Sequence, residues 1–133
     1  MVKKAGMRIL LDLEDLKIPY LLNGYGTTRS FLEKNRSVVV KFMRANLLAI
    51  KRLKGDRPFA EKVLAKYIHT SDPETIKFSL DQQMKVLPDI PTPFEDGIKT
   101  ILEDLGRSSP EAKLIPPATL IDASVVREAA KGL

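Results

Sequence analysis

Reactive side chains are few in this chain. Its 133 residues include no cysteine and one histidine, His69. Thiolate nucleophiles, Fe–S clusters, disulfides and cysteine-type zinc sites are thereby excluded. Zinc sites built on several histidines, and Ser-His relays, lose their raw material. His69 follows Tyr67-Ile68 at an expected helix end, where it suits a turn or the negative end of the helix dipole. Asp12, Glu14 and Asp15 bring carboxylates together, as a divalent cation would require. The D-x-D-x-D-G spacing of a calcium loop is absent, so a solvated loop edge is the plainer reading. Asn23–Thr28 contains G-x-G without a third glycine and without a following G-K-[ST]. It is neither a dinucleotide fingerprint nor a phosphate-cradling loop. No G-x-S-x-G nucleophile elbow occurs. The expectation is a protein that is not an enzyme and that carries no metal and no cofactor.

The elements that would position these residues are mostly helical. Met7–Leu13 is a short apolar run and reads as a strand. Residues 14–22 read as a loop around Pro19. Asn23–Thr28, with glycines flanking Tyr25 and two β-branched threonines, reads as a flexed segment running into a second short strand. Ser30 and Glu33 stand at capping-box spacing and open a short helix ending near Asn35. A long helix over 36–54 follows, its apolar face built from Val39, Phe42, Met43, Leu47, Ile50 and Leu53. Gly55 stops it. Asp56 and Pro58 open the next helix, which runs to Ile68 with Phe59, Val63, Leu64 and Tyr67 as its stripe. Ser71-Asp72-Pro73-Glu74 opens a helix to Lys85, and Thr92-Pro93-Phe94-Glu95 opens another to Leu105. Residues 86–93 and 107–118 are proline-bearing links. A last short helix spans 121–131.

Charge divides unevenly. Residues 1–70 hold 15 Lys/Arg against 6 Asp/Glu, whereas residues 71–133 hold 7 against 11. Such a basic half fits either a solvated helix face or contact with nucleic acid or an anionic surface. Lys41, Arg44, Lys51, Arg52 and Lys54 alternate with core-type residues, and no aromatic stacking platform accompanies them, which disfavours nucleic acid. No apolar run approaches the ~20 residues of a membrane-spanning helix. The N-terminal segment carries Arg8, Asp12, Glu14 and Asp15 where an export signal needs an unbroken apolar stretch. Two short strands do not make a stable sheet alone. Unpaired strand edges and apolar helix stripes predict a homo-oligomer or pairing with a complementary chain.

The residues also suggest a family. Gly24-x-Gly26-Thr27-Thr28-Arg29-Ser30-Phe31-Leu32-Glu33-Lys34-Asn35 runs on into Val38-Val39-Val40-Lys41-Phe42-Met43-Arg44-Ala45. Ala49-Ile50-Lys51-Arg52-Leu53-Lys54, Val63-Leu64-Ala65-Lys66-Tyr67 and Ser71-Asp72-Pro73-Glu74 follow, then Pro91-Thr92-Pro93, Gly97-Ile98 and Ile121-Asp122. With the opening Lys4-Ala5-Gly6-Met7-Arg8-Ile9-Leu10-Leu11-Asp12, this order resembles the C-terminal part of a known group. The group is the solute-binding proteins of ABC importers for nitrate, sulfonates, taurine and thiamine-pyrimidine precursors. No single motif is diagnostic. The likeness lies in a collinear run of weak matches over nearly the whole chain.

The resemblance implies an α/β family fold, the type II periplasmic binding fold. This stretch would be its mostly α part, two short N-terminal strands followed by about six helices. Residues 1–22 would be the tail of the second lobe and the return crossover. Residues 23–133 would be the C-terminal helical part of the first lobe, folding as a single unit. Group members are more than twice this length, so the sequence corresponds to their closing part. The implied function is non-catalytic capture of a small organic anion or heteroaromatic solute by lobe closure, serving an ABC-type importer. Asn23, Tyr25 and Thr27 are the implied ligand-binding residues, and Gly24 and Gly26 the implied hinge. The implied partners are the solute, an ABC permease and a complementary N-terminal half. The implied location is periplasmic or extracytoplasmic, although the chain as written carries no export segment and would stay in the cytoplasm if made so. The alternative reading is a basic helical interaction module that binds an acidic partner or nucleic acid.

Overall fold

A computed structural model describes Gly6, Arg8, Leu10, Leu11 and residues 16–133. Among the described residues five α-helices appear in order: α1 (Arg29–Gly55), α2 (Arg57–Tyr67), α3 (Pro73–Val86), α4 (Glu95–Leu105) and α5 (Ser124–Ala129). Two short 3-10 helices, Pro110–Leu114 and Pro117–Leu120, fill the proline-bearing stretch between α4 and α5.

Local chemistry sets most of these boundaries. Thr28 caps α1, its hydroxyl accepting from the Phe31 N–H at 3.2 Å. The two helices expected on either side of Asn35 are joined into one, with non-helical backbone at Asn35 (φ −127, ψ 28) marking the break between them. Asp56 serves two helices at once. Its N–H donates to the Arg52 carbonyl at 3.0 Å and closes α1, while its carboxylate accepts from the Phe59 N–H at 3.0 Å and opens α2. Asp72 opens α3 by accepting from the Thr75 N–H at 3.1 Å, one position later than the Ser71–Glu74 box would place the cap. α4 begins one residue after Phe94, which has no side chain able to cap it. Glu95 and Asp96 in its first turn complement the positive end of the helix dipole instead.

The chain forms two compact units. One comprises Met1–Thr27 and Thr92–Ala123. There α4 packs against both 3-10 helices, burying Leu102 and Ala112. The other comprises Thr28–Pro91 and Ser124–Leu133. In it α5 lies on α1, α2 lies on both α1 and α3, and the core joins Leu47 to Val126 and Ala129. Val40, Met43 and Ala130 close over that core. Two cations add a polar clasp. Arg36 donates to the Glu128 carboxylate at 2.8 and 3.0 Å and to the Ser124 hydroxyl at 3.0 Å. Arg44 donates to the Lys131 carbonyl at 2.9 Å, beyond the end of α5.

These helices overturn the expected fold class. Among the described residues there is no strand, so a type II periplasmic binding fold opening on two short strands does not fit. Asn23–Thr28, read as the second strand, is irregular backbone with a bend at Asn23. Thr28 is extended (φ −75, ψ 149), yet it serves the cap of α1 rather than a ladder. Of the first expected strand, Arg8, Leu10 and Leu11 are exposed and non-regular, and the rest of Met7–Leu13 lies outside the described residues. The physical reason is pairing: extended backbone becomes a strand only when a neighbour takes its N–H and C=O groups. Extended conformation and β-branched residues favour a strand without supplying that neighbour.

Candidate functional site

The five residues singled out from the sequence sit together on the surface. Asn23, Gly24, Tyr25, Gly26 and Thr27 are all exposed, Tyr25 at 68%. Neither Gly24 nor Gly26 has the positive φ that glycine alone tolerates well, and a Cβ on Gly26 would meet nothing within 4 Å. The segment thus carries an amide and two hydroxyls on exposed residues. None of the five lines either of the two surface depressions described below. The carboxylates Asp12, Glu14 and Asp15 lie outside the described residues, and among those described no group of His, Asp or Glu is arranged to hold a metal ion. His69 is exposed in the turn after α2 with φ 52, and the Thr70 N–H reaches back to the Ala65 carbonyl at 3.2 Å. That pairing is the left-handed closure of a helix C-terminus.

One depression lies where α1 meets α2, lined by Leu48, Lys51, Arg52, Gly55, Asp56, Arg57 and Pro58. It is rich in cations, but most are committed. Arg52 pairs with Asp56 at 2.7 Å and its guanidinium lies 5.0 Å above the centre of the Phe59 ring. Arg57 pairs with Glu61 at 2.7 Å and with Asp81 at 2.6 Å. Hydrogen bonds from Glu61, then Asp81, raise the pKa of Arg57 above its ordinary value, so it stays charged at any workable pH. Lys54 pairs with Asp89 at 2.6 Å. Most of this corner's charges are thus paired with one another, and Lys51 is its cation without an acidic partner among the described residues. The second depression, in the other unit, lies beside α4 and is lined by Lys99, Leu102, Glu103, Lys113, Ile115 and Pro117.

The more informative surface is α1 itself. The helix carries eight Lys/Arg and one acid, Glu33. Arg36 and Arg44 turn toward α5, whereas Lys34 and Lys41 meet no described acidic group. Its apolar residues occupy two sides. Leu47, 3% exposed, faces α5, with Val40 and Met43 beside it. Val38 is 57% exposed and Phe42 48%, and with Ala45 and Ala49 they follow the three/four spacing of a second, outward row. The sequence placed Phe42 on the buried face, and the structure moves it to the outward one. Reading one stripe missed this because Val38-Val39-Val40 and Leu47-Leu48-Ala49-Ile50 wrap the helix. Two apolar runs on a helix that also carries eight Lys/Arg are the available sequence signal of a second apolar row. The Arg36–Glu128 clasp had no sequence signal, since its partners stand 92 residues apart.

Among the described residues, no helix is long and apolar enough to cross a membrane. The chain matches no protein-family model, no curated protein and no solved structure.

Proposed function

We propose that this chain takes part in non-catalytic capture of a small organic anion or heteroaromatic solute for an ABC-type importer, as one portion of a larger binding component. The observation that carries the reading is α1, apolar toward α5 and apolar again on its outward side. Such a helix calls for further protein surface over it. The collinear order of residues quoted above supplies the kind of protein. Asn23, Tyr25 and Thr27 are the solute contacts in this reading: an amide and two hydroxyls on one exposed segment, suited to an anion or a ring nitrogen. An ABC permease is the implied downstream partner, and the compartment outside the cytoplasm is where such capture is useful.

A second reading has its own support. Eight cations against one acid on α1 suit a basic interaction module, with Lys34, Lys41 and Lys51 unpaired by described acids. One experiment separates the two. Thermal unfolding is followed with nitrate, taurine or an aminopyrimidine, and separately with a short oligonucleotide or an acidic polypeptide. Each is run at about 50 mM and about 200 mM salt. Solute capture predicts a rise in Tm with one of the small molecules that persists at the higher salt. A rise confined to the polyanions and lost with salt would replace it with the second reading.

A further inference from the structure

Asn23 and Gly24 form an exposed corner in the segment that precedes α1. The backbone bends at Asn23, and neither residue belongs to a helix. Among the described residues, neither the Asn23 amide nor the Gly24 N–H takes part in a hydrogen bond. Gly24 carries no Cβ to shield its nitrogen, and only Leu21 Cδ2 comes within 4 Å of where one would stand. Asparagine is a chemically labile residue. Followed by glycine in unrestrained backbone, its side-chain carbonyl is open to the next residue's nitrogen, because ring closure needs rotations that only a free, uncrowded backbone allows. The other two asparagines are held out of this reaction. Asn46 lies inside α1, its amide donating to the Phe42 carbonyl at 2.9 Å, and helical geometry directs the Leu47 N–H back along the helix. Asn35 donates to the Phe31 carbonyl at 3.1 Å and is followed by Arg36, which Glu128 and Ser124 anchor.

We propose that Asn23–Gly24 is a self-modification site, where the asparagine cyclises onto the glycine nitrogen and reopens as aspartate or isoaspartate. The Gly24 nitrogen gives its proton to solvent base and attacks Cγ of Asn23. A C–N bond forms, the bond from Cγ to the amide nitrogen breaks, and that nitrogen leaves as ammonia with a proton from water. Water then adds to either carbonyl of the succinimide and cleaves one ring C–N bond. No oxidant or reductant takes part, and water is the sole co-reactant. The formal net charge of +5 falls by one. The inference goes beyond the solute reading and does not rest on it.

The test incubates the full chain at physiological temperature, at neutral and at mildly alkaline pH, and follows it by peptide mapping with isomer-resolved mass spectrometry. Asn23 is expected to convert with isoaspartate among the products, faster at the higher pH, and within severalfold of the rate in a free peptide spanning residues 21–27. The peptides holding Asn35 and Asn46 are expected to convert at least tenfold more slowly. Gly24→Ala fits the fold, since its Cβ meets only an ordinary contact at 3.9 Å and the backbone angle there is not left-handed. Circular dichroism checks that it folds, and conversion at Asn23 is expected to slow at least tenfold. A folded-chain rate more than tenfold below that of the peptide would overturn the proposal, because the segment would then be protected. So would conversion of Gly24→Ala at the original rate, or aspartate formed with no isoaspartate.

Discussion

His69 holds a left-handed backbone, φ 52, in the turn that closes α2. An L-residue there pays a steric cost that glycine avoids, because Cβ crowds the following carbonyl. His69→Gly is therefore expected to stabilise the fold by about 0.5–1 kcal/mol, read as a higher urea midpoint with an unchanged slope. His69→Val should move the midpoint the other way. Gly97 makes the opposite case, one of space rather than dihedral angle. A Cβ there would lie 2.7 Å from the Phe94 ring and 3.0 Å from the backbone nitrogen of Leu21. The ring can turn aside, but the backbone of Leu21 cannot without moving its own segment. Gly97→Ala is expected to cost about 1–3 kcal/mol by overpacking, seen as faster amide exchange along α4. Both residues were visible in the sequence. Only the fold reveals which glycine is needed for closeness and which histidine stands where a glycine would serve better.

At the scale of elements, Asp56 is the joint between α1 and α2. It closes one helix through its N–H, opens the next through its carboxylate and pairs with Arg52 at 2.7 Å. Asp56→Ala is expected to cost about 1–2 kcal/mol, chiefly the lost cap, since the exposed ion pair adds little. Asp56→Asn keeps the cap and should recover most of that loss in the same urea titration. α5 depends on tertiary contacts in a different way. Six residues cannot sustain a helix alone. Val126 and Ala129 packed on Leu47, with Arg36 bonded to Glu128 and Ser124, hold it in place. The sequence placed a helix over 121–131, and the structure forms it over Ser124–Ala129, where those contacts reach.

For the molecule as a whole, the small core is the telling quantity. Eight hydrophobic residues are buried among the described ones, none of them a large side chain sealed completely from solvent. Less surface is thus left to expose on unfolding. The urea dependence of the unfolding free energy is expected to fall below that of a compact domain of equal length, because this slope scales with exposed area. A slope typical of a compact 133-residue domain would show that the outward apolar rows are already covered in solution, for example by self-association.

Local sequence chemistry marks where most of the described helices begin and end. Asp56, Asp72, Pro73 and Gly55 act on their immediate neighbours, so their effect is readable without a fold. It also determined that the first half is basic and that catalytic thiols and histidine clusters have no material here. Tertiary structure decided what local chemistry cannot: which side of α1 is buried, that Arg36 meets Glu128, and that Asn23–Thr28 remains irregular rather than joining a sheet. Each of these turns on which residues distant in the chain meet in space, and neither spacing nor propensity encodes that.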